Sequence, residues 1–377
     1  MDRAIRNRTA IVGVGYTPVL RHAQRNVGAI AVDAALAAIE DAGLRRDDID
    51  GFIGLPFGPT ASAQPSPVID QISAAAVVSG LGLNDPRFVV DIAGMPNTAL
   101  VMAVQALCSG LCTNVLIARA VYNQPSGRRA ETAGLRSAAG AAQYTLPYGL
   151  SGGGAAQALA LQRYMHEYGA TREELFAVVN ADHRHAQLNP VAYWRGREVT
   201  LEDYLYCRFI AQPLCLFDCD MPVTTAGAIV VTTAERARNL PHPPAYITAF
   251  AGINPTEPDI FEVSGVERQD VQVAQIYDGF SPFVWYWLET LGYCGKGEAH
   301  AYTQGGRIEL GGELPVNTFG GNLGEGHFQG FGHLREGAMQ IMGRCGERQV
   351  HDVRHCLVAL GIPNGSRSRY VIMLSSQ

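Results

Sequence analysis

Three stretches of this 377-residue chain carry side chains able to do chemistry without a cofactor. The first is QIYDGFSP (275–282), where an apolar run gives way to Tyr277 and Asp278. A polar pair at the carboxyl end of a strand stands where α/β sheets bind ligands. A phenol there passes a proton or hydrogen-bonds a developing oxyanion, and Asp278 either orients it or caps the next helix. The bland reading keeps Asp278 as a turn residue and Tyr277 as half-buried packing. The second is NTFGGNLGEGHFQGFGHLREG (317–337), where glycines, Gly320 and Gly321 among them, let the backbone approach a ligand ahead of His327. At a helix entrance, His327 is expected to be a neutral imidazole, a base or donor, because the positive end of the helix dipole disfavours its protonation. His333, six residues on, reads as structural. The third is DHRHAQLNP (182–190). Two histidines two apart face different sides of a helix, and no acidic third ligand has a useful spacing, so no metal site is expected.

A fourth stretch is notable for what it lacks. In VVDIAGMPNTALVMAVQALCSG an apolar strand ending near Asp91 turns through Ala93, Gly94 and Met95 into an apolar helix from about Pro96. Unpaired N–H groups at a helix start favour a nucleophile or an anion, yet this turn offers only small or inert side chains. The glycine-rich helix entry SGGGAAQALALQRY (151–164) suits an anionic group but has neither a P-loop lysine nor a dinucleotide fingerprint. The eight cysteines include no C-x-x-C, and the two pairs four apart (Cys108/Cys112, Cys215/Cys219) read as reduced, buried thiols. Lys296 is the only lysine and lies in a polar GKGE loop, which argues against a Schiff-base mechanism.

The elements that must position these residues follow an α/β rhythm. Strands are expected over 9–15, 50–55, 87–93, 114–120 and 226–234, with helices over 27–44 and from about Pro96 to Leu111. The latter has apolar residues on every face and should lie inside the protein. The second half repeats the order, with strands over 245–252, 273–278, 313–320, 355–361 and 369–375 and helices near 282–292 and 330–343. Two copies of one α/β unit follow. An Arg- and Tyr-rich excursion over about 121–215 is too long for an ordinary connection and reads as a helical cap. A formal net charge of −6 gives no footprint for nucleic acid. No run of eighteen apolar residues appears and no signal-peptide pattern opens the chain, so a soluble, cytoplasmic protein without membrane contact is expected.

Together, the duplicated layout, the apolar helix after Ala93, YDGFSP, PVNTFGGNLGEGH and HAQLNP…TLEDYLYCRFIAQPLCLFDC…GAIVVTTAERA resemble the thiolase superfamily over almost the whole chain. The branch is that of sterol-carrier-protein-type thiolases and bacterial lipid-transfer-protein relatives. The resemblance implies an α/β thiolase fold of two βαβαβαββ halves in five layers, a homodimer and CoA-thioester substrates, with no cofactor bound by the chain. On it the N-terminal half spans 1–120 and 216–240, the inserted region 121–215 and the C-terminal half 241–377. Ala93 stands where thiolases place the nucleophilic cysteine. Gly365 and Ser366, in IPNGSRSR, replace the turn holding the second catalytic cysteine. Gly326-His327 matches the family's Gly-His-Pro, with Phe328 for the proline, and Tyr277-Asp278 replaces a His-Asp pair.

Loss of both cysteines with gain of a Tyr-Asp pair is similar to a thiolase-fold subgroup of steroid side-chain aldolases. Those act on β-hydroxyacyl-CoA with a small OB-fold, zinc-ribbon partner. A retro-aldol cleavage needs a base for the β-hydroxyl and donors for the enolate, not a nucleophile. Tyr277, His327 and Asp278 are the expected catalytic groups, with Ala93, Gly94, Gly320, Gly321, Gly365 and Ser366 around the oxyanion and substrate. In that subgroup a tyrosine is expected at the His327 position, so this chain joins an aldolase-like Tyr277 to a thiolase-like His327. The alternatives are a thiolase-like acyltransferase working with a partner and a non-catalytic subunit binding acyl-CoA or lipid.

Overall fold

The computed structural model describes residues 5–22, 25–59, 72–84, 86–122, 140–150, 152–252, 257–363 and 370–376. Its strands are β1 (Thr9–Tyr16), β2 (Gly51–Pro59), β3 (Phe88–Asp91), β4 (Asn114–Tyr122), β5 (Phe209–Ala211) and β6 (Leu214–Cys215). β7 (Thr225–Thr233), β8 (Ala245–Gly252), β9 (Val273–Ile276), β10 (His355–Leu360) and β11 (Tyr370–Ser375) follow. β5 and β6 form a small hairpin, and the other nine make one mixed sheet in the order β3-β2-β4-β7-β1-β8-β11-β10-β9.

The duplication read from the sequence is written into the pairing. β2 runs parallel to β4, β4 antiparallel to β7, and β7 antiparallel to β1. In the second half β9 runs parallel to β10, β10 antiparallel to β11, and β11 antiparallel to β8. The halves join where β1 pairs with β8. At the outer edge of the first half β3 pairs parallel with β2 over four residue pairs. Its counterpart is one parallel bridge between Ala274 and Val316, so the strand expected over 313–320 does not form. Pro315 has no N–H to donate, Leu314 and Val316 donate back to Arg307 and Ile308, and Asn317 turns to a positive φ of 53°.

A helix follows each of these matching edges. Pro96–Cys108 and Phe331–Ile341 are the two inner helices. Every residue of the second is buried. The first ends before Leu111, and its Thr98, Val101, Met102, Gln105 and Cys108 face is half-buried or exposed. That face repeats at helical spacing, which corrects the expectation of burial all round. Both helices start toward one place, because a Cβ on Gly330 would stand 3.1 Å from Met95 Cε.

The region expected as a cap contains an inner element too. The Arg172–Leu188 helix is started by Thr171 and Glu174, each bonded to the other's backbone N–H. It buries Leu175, Val178, Val179 and Ala181 and lies against the short helix Gly321–Gly324, where a Cβ on Gly324 would be 2.7 Å from the Asp182 carbonyl. No helix among the described residues is long and apolar enough to cross a membrane.

Candidate active site

Tyr277 leaves the end of β9 with its N–H donated to the Ala359 carbonyl of β10 at 2.9 Å. Its ring stacks on Phe283 and tilts against His333, with centroids 6.1 and 5.8 Å apart. The phenol folds back over Gly279, where a Cβ would lie 2.9 Å from the hydroxyl oxygen. Any side chain at 279 would displace the phenol, so the glycine of YDGF fixes where the hydroxyl stands.

Asp278 points the other way and is completely buried. Its carboxylate accepts from the N–H groups of Asn322 and Leu323 at 2.8 and 3.0 Å, and from Nε2 of His333 at 2.8 Å. It therefore caps Gly321–Gly324 rather than the helix that follows it in sequence. Asp182 of the Arg172–Leu188 helix lies within electrostatic reach of the same carboxylate, and burial plus the Asp278 charge push the Asp182 carboxyl well above the usual range. A buried carboxylate costs several kcal/mol to desolvate unless such donors surround it. Asp278 is a hub that holds elements of both halves of the site, not a group facing substrate. Gly320 and Gly321, expected at the oxyanion, are buried for the same reason: a Cβ would meet Ala186 at 2.8 Å and Asp278 Oδ2 at 2.1 Å respectively.

His327 sits four residues ahead of the Phe331–Ile341 helix, with its N–H donated to the Met221 carbonyl at 2.8 Å. Its Nδ1 bonds to the carboxylate of Asp220, and both side chains are buried. The expectation of a helix-dipole environment is corrected: a carboxylate sets the electrostatics of this ring. Because a carboxylate only accepts, Nδ1 carries the proton and Nε2 is the basic nitrogen. Asp220 also donates its N–H to the Gly279 carbonyl at 3.4 Å, and Cys219 bridges Phe280. Two positions earlier, Asp218 accepts from Ser281 Oγ at 2.6 Å and Tyr204 at 2.8 Å. The 218–221 segment thus ties the Tyr277 turn to His327. Neither acid stood out in the sequence; the run Asp218-Cys219-Asp220 was the available signal.

The turn after β3 completes the ring of contacts. Ala93 is exposed, and Gly94 and Met95 are half-buried. Arg119, on β4 and only 2 % exposed, donates from Nη1 to the Gly94 carbonyl at 3.4 Å. Burial lowers Arg119 to about 10, while the Tyr277 phenol, within electrostatic reach, favours its charge. Arg119 thus holds the turn at Gly94, while Gly279 sits between the Tyr277 phenol and Asp220, the partner of His327. The glycine-rich helix entry borders the Tyr277 turn, since a Cβ on Gly153 would be 3.6 Å from the Phe280 ring. Gly365 and Ser366 lie outside the described residues.

The remaining candidates fall elsewhere. His185 donates from Nδ1 to the Asn317 carbonyl at 3.1 Å and accepts the Leu310 N–H at Nε2, while His183 packs between Trp194 and Phe217. No cluster of three potential metal ligands occurs among the described residues. Burial pushes the Cys112 thiol up to about 11 and Cys215 and Cys294 to about 12, the opposite of an activated nucleophile.

Comparison with known proteins fits this picture. The model of the thiolase C-terminal domain-like family matches residues 246–375. A 17-hydroxy-3-oxo-4-pregnene-20-carboxyl-CoA lyase of Mycobacterium tuberculosis is 35% identical over 94% of this chain and 96% of its own. A steroid side-chain-cleaving aldolase of Thermomonospora curvata is 34% identical over 93% of this chain and 94% of its own. Among solved structures, the Ltp2-ChsH2(DUF35) aldolase superposes with a TM-score of 0.82 at 32% identity, covering 98% of both chains.

Proposed function

The chain belongs to the thiolase superfamily, in the company of its steroid side-chain-cleaving aldolases, and from that premise we propose that it is a carbon–carbon lyase cleaving a β-hydroxyacyl-CoA thioester by a retro-aldol step. The observation that carries this reading is the turn Ala93-Gly94-Met95. It keeps the strand–turn–helix geometry that presents a nucleophile in thiolases and holds a methyl group there. An acyl-enzyme route needs a thiolate at that turn.

In the proposed reaction Tyr277 takes the proton of the β-hydroxyl. The Cα–Cβ bond breaks as the β-carbon becomes a carbonyl, and its electron pair passes into the thioester enolate. Main-chain N–H groups of the 93–95 turn, at the start of the Pro96–Cys108 helix, face the enolate oxygen. His327, held by Asp220 at Nδ1 and entering the step as the imidazolium, delivers its Nε2 proton to the α-carbon and is left neutral. The products are a ketone or aldehyde and a shortened acyl-CoA, and solvent restores the protons of the two groups. Asp278 positions the site from beneath. Tyr277→Phe and His327→Ala should each lower kcat by about two orders of magnitude or more with the fold intact; an unchanged rate contradicts the assignment.

We also infer assembly with a small OB-fold, zinc-ribbon protein, since the solved structure covering 98% of this chain is named as a complex with a DUF35 protein. A homodimer across the β3 edge is supported by Val89, 40% exposed there, and by the half-exposed face of the Pro96–Cys108 helix. Size measurement with and without the co-expressed partner tests both.

A further inference from the structure

Among the described residues three arginines are buried, and two of them are neutralised. Arg335 pairs with Glu325 and Arg348 with Glu336. Arg119 is as deeply buried, and it forms no ion pair among the described residues. Its Nη1 donates to the Gly94 carbonyl at 3.4 Å, while Nε has no acceptor among those residues. Burial lowers the guanidinium only to about 10, so it keeps its charge at neutral pH. A buried charge left without a counter-ion is strongly unfavourable. Yet Arg119 stands on β4, an inner strand flanked by β2 and β7, within the apolar run VLIARAV.

One peptide gives this charge a direction. The Gly94 carbonyl and the Met95 N–H share a trans amide, so the N–H points away from the oxygen that Arg119 holds. The N–H groups of Ala93, Gly94 and Met95 have no acceptor among the described residues, and Met95 starts the Pro96–Cys108 helix without a side-chain cap. Thr98, in the first turn of that helix, adds a buried Oγ1 that has no partner among them either. A Cβ on Gly94 would lie 3.6 Å from it. Buried polar groups are normally satisfied, and two unsatisfied ones adjoin this single turn.

We propose that Arg119 is a positioning residue that charges an oxyanion site at the Gly94–Met95 peptide. The guanidinium polarises that amide through its carbonyl, so the Met95 N–H binds an anionic oxygen more strongly. The bound anion is the counter-charge that Arg119 lacks, and Thr98 Oγ1 is the second donor available to it. The ligand class is the enolate of a CoA thioester, or a carboxylate of the same shape. This rests on the reading that the 93–95 turn faces the enolate oxygen. It states what a turn without a nucleophile contributes: a fixed positive charge where negative charge develops.

The test is equilibrium binding of two CoA derivatives that cannot be cleaved, measured by calorimetry on the full chain with its co-expressed partner. Carboxymethyl-CoA, a thioether ending in a carboxylate, has the charge and shape of the enolate, and carbamoylmethyl-CoA is its neutral amide. The wild type should bind the carboxylate about tenfold or more tightly than the amide. Arg119→Gln should bring the two within about threefold of each other by weakening the carboxylate alone, and Arg119→Lys should keep part of the preference. His327→Gln, which removes the other cation of the proposed mechanism, should leave the preference in place. A wild type that does not favour the carboxylate overturns the proposal, as does a preference that survives Arg119→Gln or vanishes in His327→Gln. The wild-type and His327→Gln results decide even where Arg119→Gln does not fold. The preference without cleavage of a β-hydroxyacyl-CoA leaves the oxyanion site standing and rejects the lyase reading instead.

Discussion

The carboxylate of Asp220 accepts from Nδ1 of His327, 107 residues further along the chain, and both are buried. This bond fixes the tautomer and the ring plane of the histidine, leaving Nε2 as the nitrogen that exchanges protons. Asp220→Asn keeps the shape and removes the charge. It should leave the melting temperature within a few degrees and lower kcat by about two to four orders of magnitude. A pH–rate profile with activity near wild type would show that Asp220 merely packs.

The cysteine next to this pair in the chain is Cys219, whose backbone bridges Phe280. If no acyl-enzyme forms, Cys219→Ser should keep turnover within about threefold. No burst of free CoA should precede the steady state. Loss of activity with an intact fold would return a cysteine to the mechanism.

Most of the strands were legible in the sequence because apolar runs bounded by glycine-rich turns are local signals. The 313–320 stretch misled because its apolar residues look strand-like, whereas its N–H groups are claimed by Arg307 and Ile308. Tyr277, His327 and the empty Ala93 turn could be named from residue type and position. Their partners could not. Arg119, Asp182 and Asp220 come from separate elements, and nothing in local spacing states that β4, the Arg172–Leu188 helix and the 218–221 segment meet at one place.

The hub at Asp278 predicts an asymmetry between two buried carboxyls. Burial and the Asp278 charge hold the Asp182 carboxyl well above its usual range, so Asp182→Asn keeps its shape without a charge, whereas Asp278→Ala strands two N–H groups and His333. Urea unfolding at pH 4 should show Asp278→Ala destabilised by about 2–4 kcal/mol and Asp182→Asn close to wild type. Because the folded Asp182 holds a proton that the unfolded chain releases near 3.8, its contribution is full below that pH and is lost as pH rises. The stability of Asp182→Asn relative to wild type should therefore grow from pH 4 to 7.

His183 and His185 act in the opposite sense. Burial lowers both from 6.5 to about 4, so the folded state keeps them neutral while the unfolded chain takes up protons. Their contribution is full above pH 6.5 and is lost as pH falls to about 4, with a slope of roughly 1.4 kcal/mol per pH unit for each. His183→Phe, placed between Trp194 and Phe217, should remove one histidine's share of that slope in denaturation measured from pH 7 to 4.5. An unaltered slope would mean that His183 is already protonated in the fold.

The central claim is that this thiolase fold breaks a carbon–carbon bond without a nucleophile. Its most direct test is product analysis by mass spectrometry after incubating the protein, with its OB-fold partner, with a β-hydroxyacyl-CoA bearing a steroid-type side chain. The account predicts a ketone or aldehyde and a shortened acyl-CoA in equal amounts, with no free CoA required and no acyl group left on the protein. Cleavage that depends on added CoA, with an acylated cysteine recovered from the chain, would contradict it.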